Sequence, residues 1–527
     1  MKFYAHISLT LTFIFAFGLV GDAFSQRRRP APRPAPRHVL MPPLTANLKP
    51  DQKRRVESFD KAWRTIYNYY FDDKFNNVNW EQVKLEYEPK VRAAKTDEEL
   101  HELLDTMIAR LRVSHLGIIR PTVYEAIETA KETARERATQ RALEKAEMAA
   151  GEDAVVDEDM DFDDPLSIYG PGVDLRIIGN RLMVFRVTAN SAAEYAGIKP
   201  GYIIESIDDV SLSLLLARIS LLEKPDSRVK RYLPVEVVNE MLNGDKDSTV
   251  KIGYIDENDQ SKEIEIRRER LQAQTVTLGS DVPDDHLVFE SRSIDADTGY
   301  VYFDNFSLPV IEKFCSALTE FKGKKSLVID LRGNLGGVIG VSIGLAGMVS
   351  ETPMRMGTSI MRYGAEPLMS QPKAKRFAGR IVVLVDGLSV SAAEMFAVAL
   401  QSSGRALVIG DRSAGETLPA VAVELPTGAR LYYPIANFRA PNGKFLEGQG
   451  VTPDKLVTLD RASLIKGIDP QLAAAVASLG QNVQKTSVYG MGNAAPVEFS
   501  EPIAADPPPP PPAPIKKPLK TLGTVIV

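Results

Sequence analysis

Residues 380–416 read "RIVVLVDGLSVSAAEMFAVALQSSGRALVIGDRSAGE". The apolar, mostly β-branched run from Ile381 to Val385 gives way to a polar turn, and Met395, Phe396, Val398, Ala399 and Leu400 then fall on one helical face. "ALVIG" at 406–410 resumes strand character before a glycine turn. Strand, turn, helix, strand is the unit from which α/β folds are built. The pattern recurs upstream in "GYVYFDNF" (299–306) and "SLVIDLRG" (326–333). Those strands are apolar on both faces, as a sheet covered by helices on both sides requires. An α/β core is therefore expected over residues 272–480.

Working outward, the pattern changes. Residues 165–271 carry short alternating segments, "GVDLRIIGNRLMVFRVT", "YIIESIDDVSL" and "TVKIGYID", with a short helix between the first two that Gly197 stops. They predict a compact, mostly β domain. Residues 51–121 predict a helical region, because "VESFDKAWRTIYNYYFDD" and "DEELHELLDTMIARLR" place apolar residues at i, i+3, i+4 and i+7. Between them, 122–164 is charged and alanine-rich, a solvated helix running into an acidic loop. At the N-terminus Lys2 precedes "ISLTLTFIFAFGLVG", and Ala23 and Ser25 stand at −3 and −1 before Gln26. Residues 1–25 read as a cleaved signal peptide, the apolar run being shorter than the roughly 20 residues that span a bilayer. Residues 26–50 form a Pro/Arg-rich linker and 481–527 a proline-rich tail that does not pack.

Composition narrows the function. A formal charge of −5 offers no general basic surface, so nucleic acid is not an expected partner, although the arginine-rich linker allows loose envelope association. One cysteine, Cys315, excludes an internal disulfide and a thiol-rich metal site. Helical spacing around it predicts a buried core thiol. The expected mechanism needs neither metal nor organic cofactor.

Several residues could carry chemistry. Ser391 stands where its helix begins, with Glu394 three residues on, which reads as a capping box. A serine there also sits in the positive end of the helix dipole, where an oxyanion is stabilised. In "LVIDLRGNLGGVIG", glycines after Asp330 let backbone amides face a ligand, or make a tight connection. A general base must come from five histidines. His6 and His38 lie in signal and linker, His101 on a charged helix and His286 in a solvated turn. His115, in "RLRVSHLGIIRP", remains.

Taken together these segments resemble the tail-specific, or carboxy-terminal processing, serine peptidases of family S41 and their tricorn-core relatives, from about Val56 to Ala462. The resemblance implies a ClpP/crotonase-like core, a helical N-terminal region and an inserted PDZ domain. "SAAEYAGIKPGYIIESID" is similar to the PDZ helix-turn-strand signature, and Gly172, Val173, Asp174 and Leu175 resemble its carboxylate-binding turn. That implies capture of substrate C-terminal tails by β-augmentation. "SVSAAEMFAVAL" resembles the nucleophile helix with Ser391 as nucleophile, Ser389 being two residues out of register. Amides of Ala392 and of the Gly336-Gly337 turn would form the oxyanion hole. Members with a Ser-Lys dyad carry lysine in a "TFGKG"-like segment; here the matching segment is "RSAGET", with Glu416 in the lysine position. The tricorn-like arrangement fits instead: Ser391, the pair Ser114-His115, and Glu447 in "KFLEGQGVTPD". The implied function is an exported serine endopeptidase of unfolded or tail-exposed proteins. A noncatalytic ligand- or peptide-binding protein retaining the fold is the alternative, and a scaffold tethering partners through its groove and tails is a third.

Overall fold

The computed structural model describes residues 48–121, 168–221, 235–276 apart from 236, 240 and 272, and 285–480. The expected signal peptide, the proline-rich segments and the charged 122–164 stretch lie outside these, save for Leu48, Lys49 and Pro50.

A six-stranded sheet organises the core. Its order is Phe289–Ser293, Thr298–Phe303, Ser326–Asp330, Arg380–Val385, Ala406–Gly410 and Lys455–Leu456. The first pair is antiparallel and the remaining four pairings are parallel. Alternation along each strand divides the core between two faces. Leu327, Ile329, Ile381 and Val383 pack with helices Leu308–Glu320, Ile339–Gly347 and Ala392–Ser402, whereas Val328, Val382 and Leu384 face Leu472 and Val476 of helix Pro470–Ser478. Parallel register aligns Asp330 with Leu384 and Val385 with Gly410, so the turns after three strands converge at one sheet end. Such carboxyl ends are where α/β sheets place their sites.

The helical region comprises Pro50–Tyr69, Trp80–Ala93 and Asp97–Ile108. Asn79 and Thr96 cap the second and third helices, accepting from the amides of Gln82 and Glu99. Val56, Phe59, Trp63, Leu100 and Leu104 bury one shared face. That face also covers Leu431 and Tyr433 of strand Arg430–Pro434. The strand Gly117–Ile119 leaves the helices and pairs antiparallel with Arg430–Pro434, Gly117 opposite Tyr432. This pairing carries residues 114–115 to the core.

The inserted β-domain has the order Val173–Ile178, Arg181–Val187, Ile203–Ile207, Thr249–Ile255, Ser261–Arg267. It docks on the core through buried charge. Arg186 Nη2 donates to Asp330 Oδ2 at 2.6 Å and Arg176 Nε to Asp386 Oδ2 at 2.7 Å. Phe185 is fully buried, with the guanidinium groups of Arg176, Arg186 and Arg332 each within 5.0 Å of its ring. Burial alone would raise the Asp330 pKa, but Arg332 and Arg186 outweigh it and hold the carboxyl well below its ordinary range.

His101 lies on its charged helix, Asp97–Ile108, yet is only 3 % exposed, because Thr427 and the helix-packing surface cover it; its Nε2 lies 3.4 Å from Thr427 Oγ1, and burial depresses its pKa. One expectation needs correcting. His286 lies in a short strand, Asp285–Leu287, paired with Gln274–Val276, not in a turn. Cys315 is half-buried against the core.

Candidate active site

Ser391 opens helix Ala392–Ser402 directly after the turn that follows strand Arg380–Val385. Its backbone has φ 54° and ψ −117°, a conformation that L-residues avoid and that persists only where surroundings enforce it. The enforcement is visible. Ser391 N–H faces Glu416 O at 2.9 Å and Glu394 Oε2 at 3.2 Å, so the Glu394 half of the expected capping box is present. On the other side stands Gly336, where an added Cβ would come 2.6 Å from Ser391 Cβ and 3.2 Å from Ala392 N.

The glycine turn is built by Asn334. Its Nδ2 donates to Phe303 O and its Oδ1 accepts the Gly336 amide at 2.9 Å. That bond corrects one expectation: the Gly336 N–H is committed to Asn334 and cannot also serve an oxyanion. Gly337, at φ 128°, packs against the Phe306 backbone. The N–H groups of Gly337 and Ala392 have no hydrogen-bond acceptor among the described residues. The first amides of a helix are orphan donors by geometry, which suits them to a developing negative charge.

Asp386 ties the two turns together. Its Oδ1 accepts from Gly333 N at 3.0 Å and Leu388 N at 2.9 Å, while Ser389 Oγ donates to Leu331 O. Ser389 is fully buried in this framework.

A second cluster lies across residues 416–417. Ser114 Oγ donates to Glu447 Oε2 at 3.0 Å and lies 2.8 Å from His115 Nδ1, and Ser114 N donates to Glu447 Oε1 at 3.0 Å. Thr417 N–H donates to the same Glu447 Oε2, also at 3.0 Å. A hydroxyl has one proton; with that proton on Glu447, Nδ1 must donate to Ser114 Oγ. In the neutral ring Nε2 then carries the lone pair. His115 and Ser391 both have φ 54°. Thus Ser114, His115 and Glu447 are brought together, and the Glu416-Thr417 backbone links them to Ser391.

Glu394 is the residue the sequence undervalued. Fully buried, its carboxylate accepts from Ser413 Oγ at 2.6 Å, Gly415 N at 2.7 Å, Glu416 N at 2.9 Å and Ser391 N. Burial pushes its pKa up to about 7, and the four donors restrain the rise. It anchors the loop that supplies the Glu416 carbonyl to Ser391 and the Thr417 amide to Glu447. The only signal for it was its capping-box position.

In the β-domain, Gly172 sits in a turn at φ 83°, close against Ser191. Val173, Asp174 and Leu175 lie in the strand that follows it, so only the first of these four residues forms a turn. That strand pairs with Arg181–Val187 on one side and is the sheet's edge. Leu175 is buried in the domain core, and Asp174 pairs with Arg176.

Residues 297–457 match peptidase family S41, and residues 50–109 match the tricorn protease C1 domain. The first span contains the glycine turn, Ser391 and Glu447; the second stops short of Ser114. The chain is 24% identical over 408 residues to a carboxyl-terminal-processing protease of Picosynechococcus sp., covering 75% of this chain and 82% of that one. To the protein of the same name from Synechocystis sp. it is 23% identical, covering 79% and 84%. A solved structure of a photosystem II D1 C-terminal processing protease superposes with a TM-score of 0.51 at 20% identity, over 82% of this chain and 99% of that one, and shows a shared fold. Residues 297–457 thus carry the match to peptidase family S41, and the chain as a whole is similar to the carboxyl-terminal processing proteases, which are serine-type hydrolases.

Proposed function

We propose that the chain is an exported serine endopeptidase that cleaves unfolded or tail-exposed proteins through an acyl-enzyme. The observation carrying this reading is the Glu447–Ser114–His115 hydrogen-bonded series, tied through the Glu416-Thr417 backbone to Ser391, a residue in an enforced, strained conformation at a helix start. Ser391 Oγ attacks the scissile carbonyl while His115 Nε2 takes its proton; the amides of Ala392 and Gly337 receive the oxyanion. His115 returns the proton to the leaving amine, then activates the water that hydrolyses the ester. Ser114 and Glu447 hold the tautomer and orient the ring, as the third member of a triad does. Glu416 has no proton-transfer role in this scheme. Its amide and carbonyl are structural, and a carboxylate is a poor base for a serine hydroxyl.

The core belongs to the ClpP/crotonase type in this reading, and the inserted domain is a PDZ module that receives substrate tails. Support comes from the edge position of strand Val173–Ile178, which can accept an added peptide strand, and from the Gly172 turn at its head. Processing of a tail then follows from its capture near the site.

The test is to incubate the mature chain with an unfolded protein and with a serine-reactive phosphonate, alongside Ser391→Ala and His115→Ala. Cleavage and labelling of the parent, both lost in Ser391→Ala, are expected. Activity that survives Ser391→Ala sinks the nucleophile assignment, and a parent that neither cleaves nor labels is a binding protein on this fold.

A further inference from the structure

A cavity of about 600 Å³ opens at Glu447, its walls including Phe71, Asp72, Asp73, Arg112, Phe445 and Glu447 itself. It lies where the helical region meets the Phe445–Gly448 loop. Through Glu447 it is two hydrogen bonds from His115. Its volume is in the range of ligand and side-chain sites.

The wall is built rather than incidental. Phe75, Asn76 and Asn77 have successive φ values of 50°, 55° and 64°, a left-handed turn that L-residues adopt only at a cost. Asp72 holds this turn, accepting from Lys74 N at 3.0 Å and Asn76 N at 2.6 Å. Arg112 is also left-handed, at φ 53°. Beneath the wall, the Tyr70 hydroxyl is completely buried without a hydrogen-bond partner. It lies within electrostatic reach of Asp72 and Glu447.

Charge selects the occupant. Three carboxylates and one guanidinium leave the cavity net negative, and Asp73 is exposed with no hydrogen-bond or ion-pair partner among the described residues. An acidic group would be repelled, and an aliphatic one would desolvate the carboxylates without compensation. A cationic side chain gains the carboxylates and lies among the aromatic side chains of Phe71 and Phe445, with which a cation can interact.

We propose that this cavity is a substrate subsite for a lysine or arginine side chain adjacent to the scissile bond. The proposal rests on the peptidase reading for its turnover test, and on binding alone for a second test. Peptides carrying Lys, Arg, norleucine or Glu at each position around a cleaved bond are compared by kcat/KM. At one position Lys or Arg is expected to exceed norleucine about tenfold, with Glu poorest. Asp73→Lys collapses the Lys-to-norleucine ratio toward unity, while Arg112→Gln raises it. The same peptides are titrated calorimetrically into Ser391→Ala, and into Ser391→Ala carrying Asp73→Lys, where the affinity ratio follows the same order. No basic preference at any position, or a ratio unmoved by Asp73→Lys, overturns the subsite. Because the calorimetric ratio needs no catalysis, an inactive parent defeats the peptidase reading and leaves this result to stand or fall separately.

Discussion

Arg176 of the inserted β-domain donates from Nε to Asp386 Oδ2 at 2.7 Å, and the other oxygen of that carboxylate holds the amides of Gly333 and Leu388. One aspartate thereby connects the β-domain to the turn before Ser391 and to the glycine turn beside it. Asp174, at the head of the edge strand, pairs with the same guanidinium. Removing one partner of a buried pair leaves the other charge uncompensated, typically about 3–5 kcal/mol. Arg176→Met is therefore expected to lower kcat more than it changes KM for short peptides, with a fall in Tm. Unchanged kcat with a lowered Tm would make the contact purely structural.

Ser391 is held where glycine would be relaxed. Both Ser391→Ala and Ser391→Gly are expected to be inactive, but the glycine variant should be more stable by about 1 kcal/mol or more, since alanine keeps the Cβ penalty at φ 54°. Urea denaturation of the pair reads the difference directly. Equal midpoints would mean the conformation is not strained.

The hydrogen-bonded series predicts graded losses. His115→Ala removes the base and should lower kcat by about 10³-fold or more, within the range for general-base loss. Ser114→Ala leaves the ring and the Ser114 amide contact to Glu447 in place, and should cost about 10–100-fold in kcat with little change in KM. Glu416→Gln should stay within about threefold of the parent. Steady-state kinetics on one peptide rank all three, and a Glu416→Gln loss matching that of His115→Ala would reassign the base.

Glu394 makes a pH prediction. Its folded pKa of about 7 stands above the ordinary glutamate value because burial disfavours the charged form. The folded state therefore binds this proton more tightly than the unfolded state. Its contribution to stability is full at pH below the ordinary value and is lost as pH rises through about 7. Across that window the parent should lose up to about 1.4 kcal/mol per pH unit from this group, a slope absent in Glu394→Gln. Chemical denaturation at pH 5, 6 and 7 measures it, and parallel slopes would reject the raised pKa. Glu394→Ala strands Ser413 Oγ and the amides of Gly415 and Glu416, and should destabilise by about 3 kcal/mol or more.

Local chemistry was readable along the chain. The strand and helix around Ser391, the helices of the N-terminal region and the alternation of the inserted domain follow from side-chain periodicity, which records which face of a backbone-bonded element is buried. The positive-φ glycines at 333, 336 and 337 could be anticipated for the same local reason. What His101 touches could not, since a polar residue on a charged helix becomes buried only through Thr427, 326 positions away.

The sequence by itself determined the elements, the helix-start position of Ser391 and the types of residue available for acid–base chemistry, because each depends on neighbours within a few positions. Only the tertiary structure decided that Ser114 meets Glu447 across 333 residues, through strand register that sets Gly117 opposite Tyr432. It alone decided that Asn334 consumes the Gly336 amide and that Glu394 anchors the 413–417 loop. A buried donor must find an acceptor, and which one it finds is fixed by packing in three dimensions rather than by spacing along the chain.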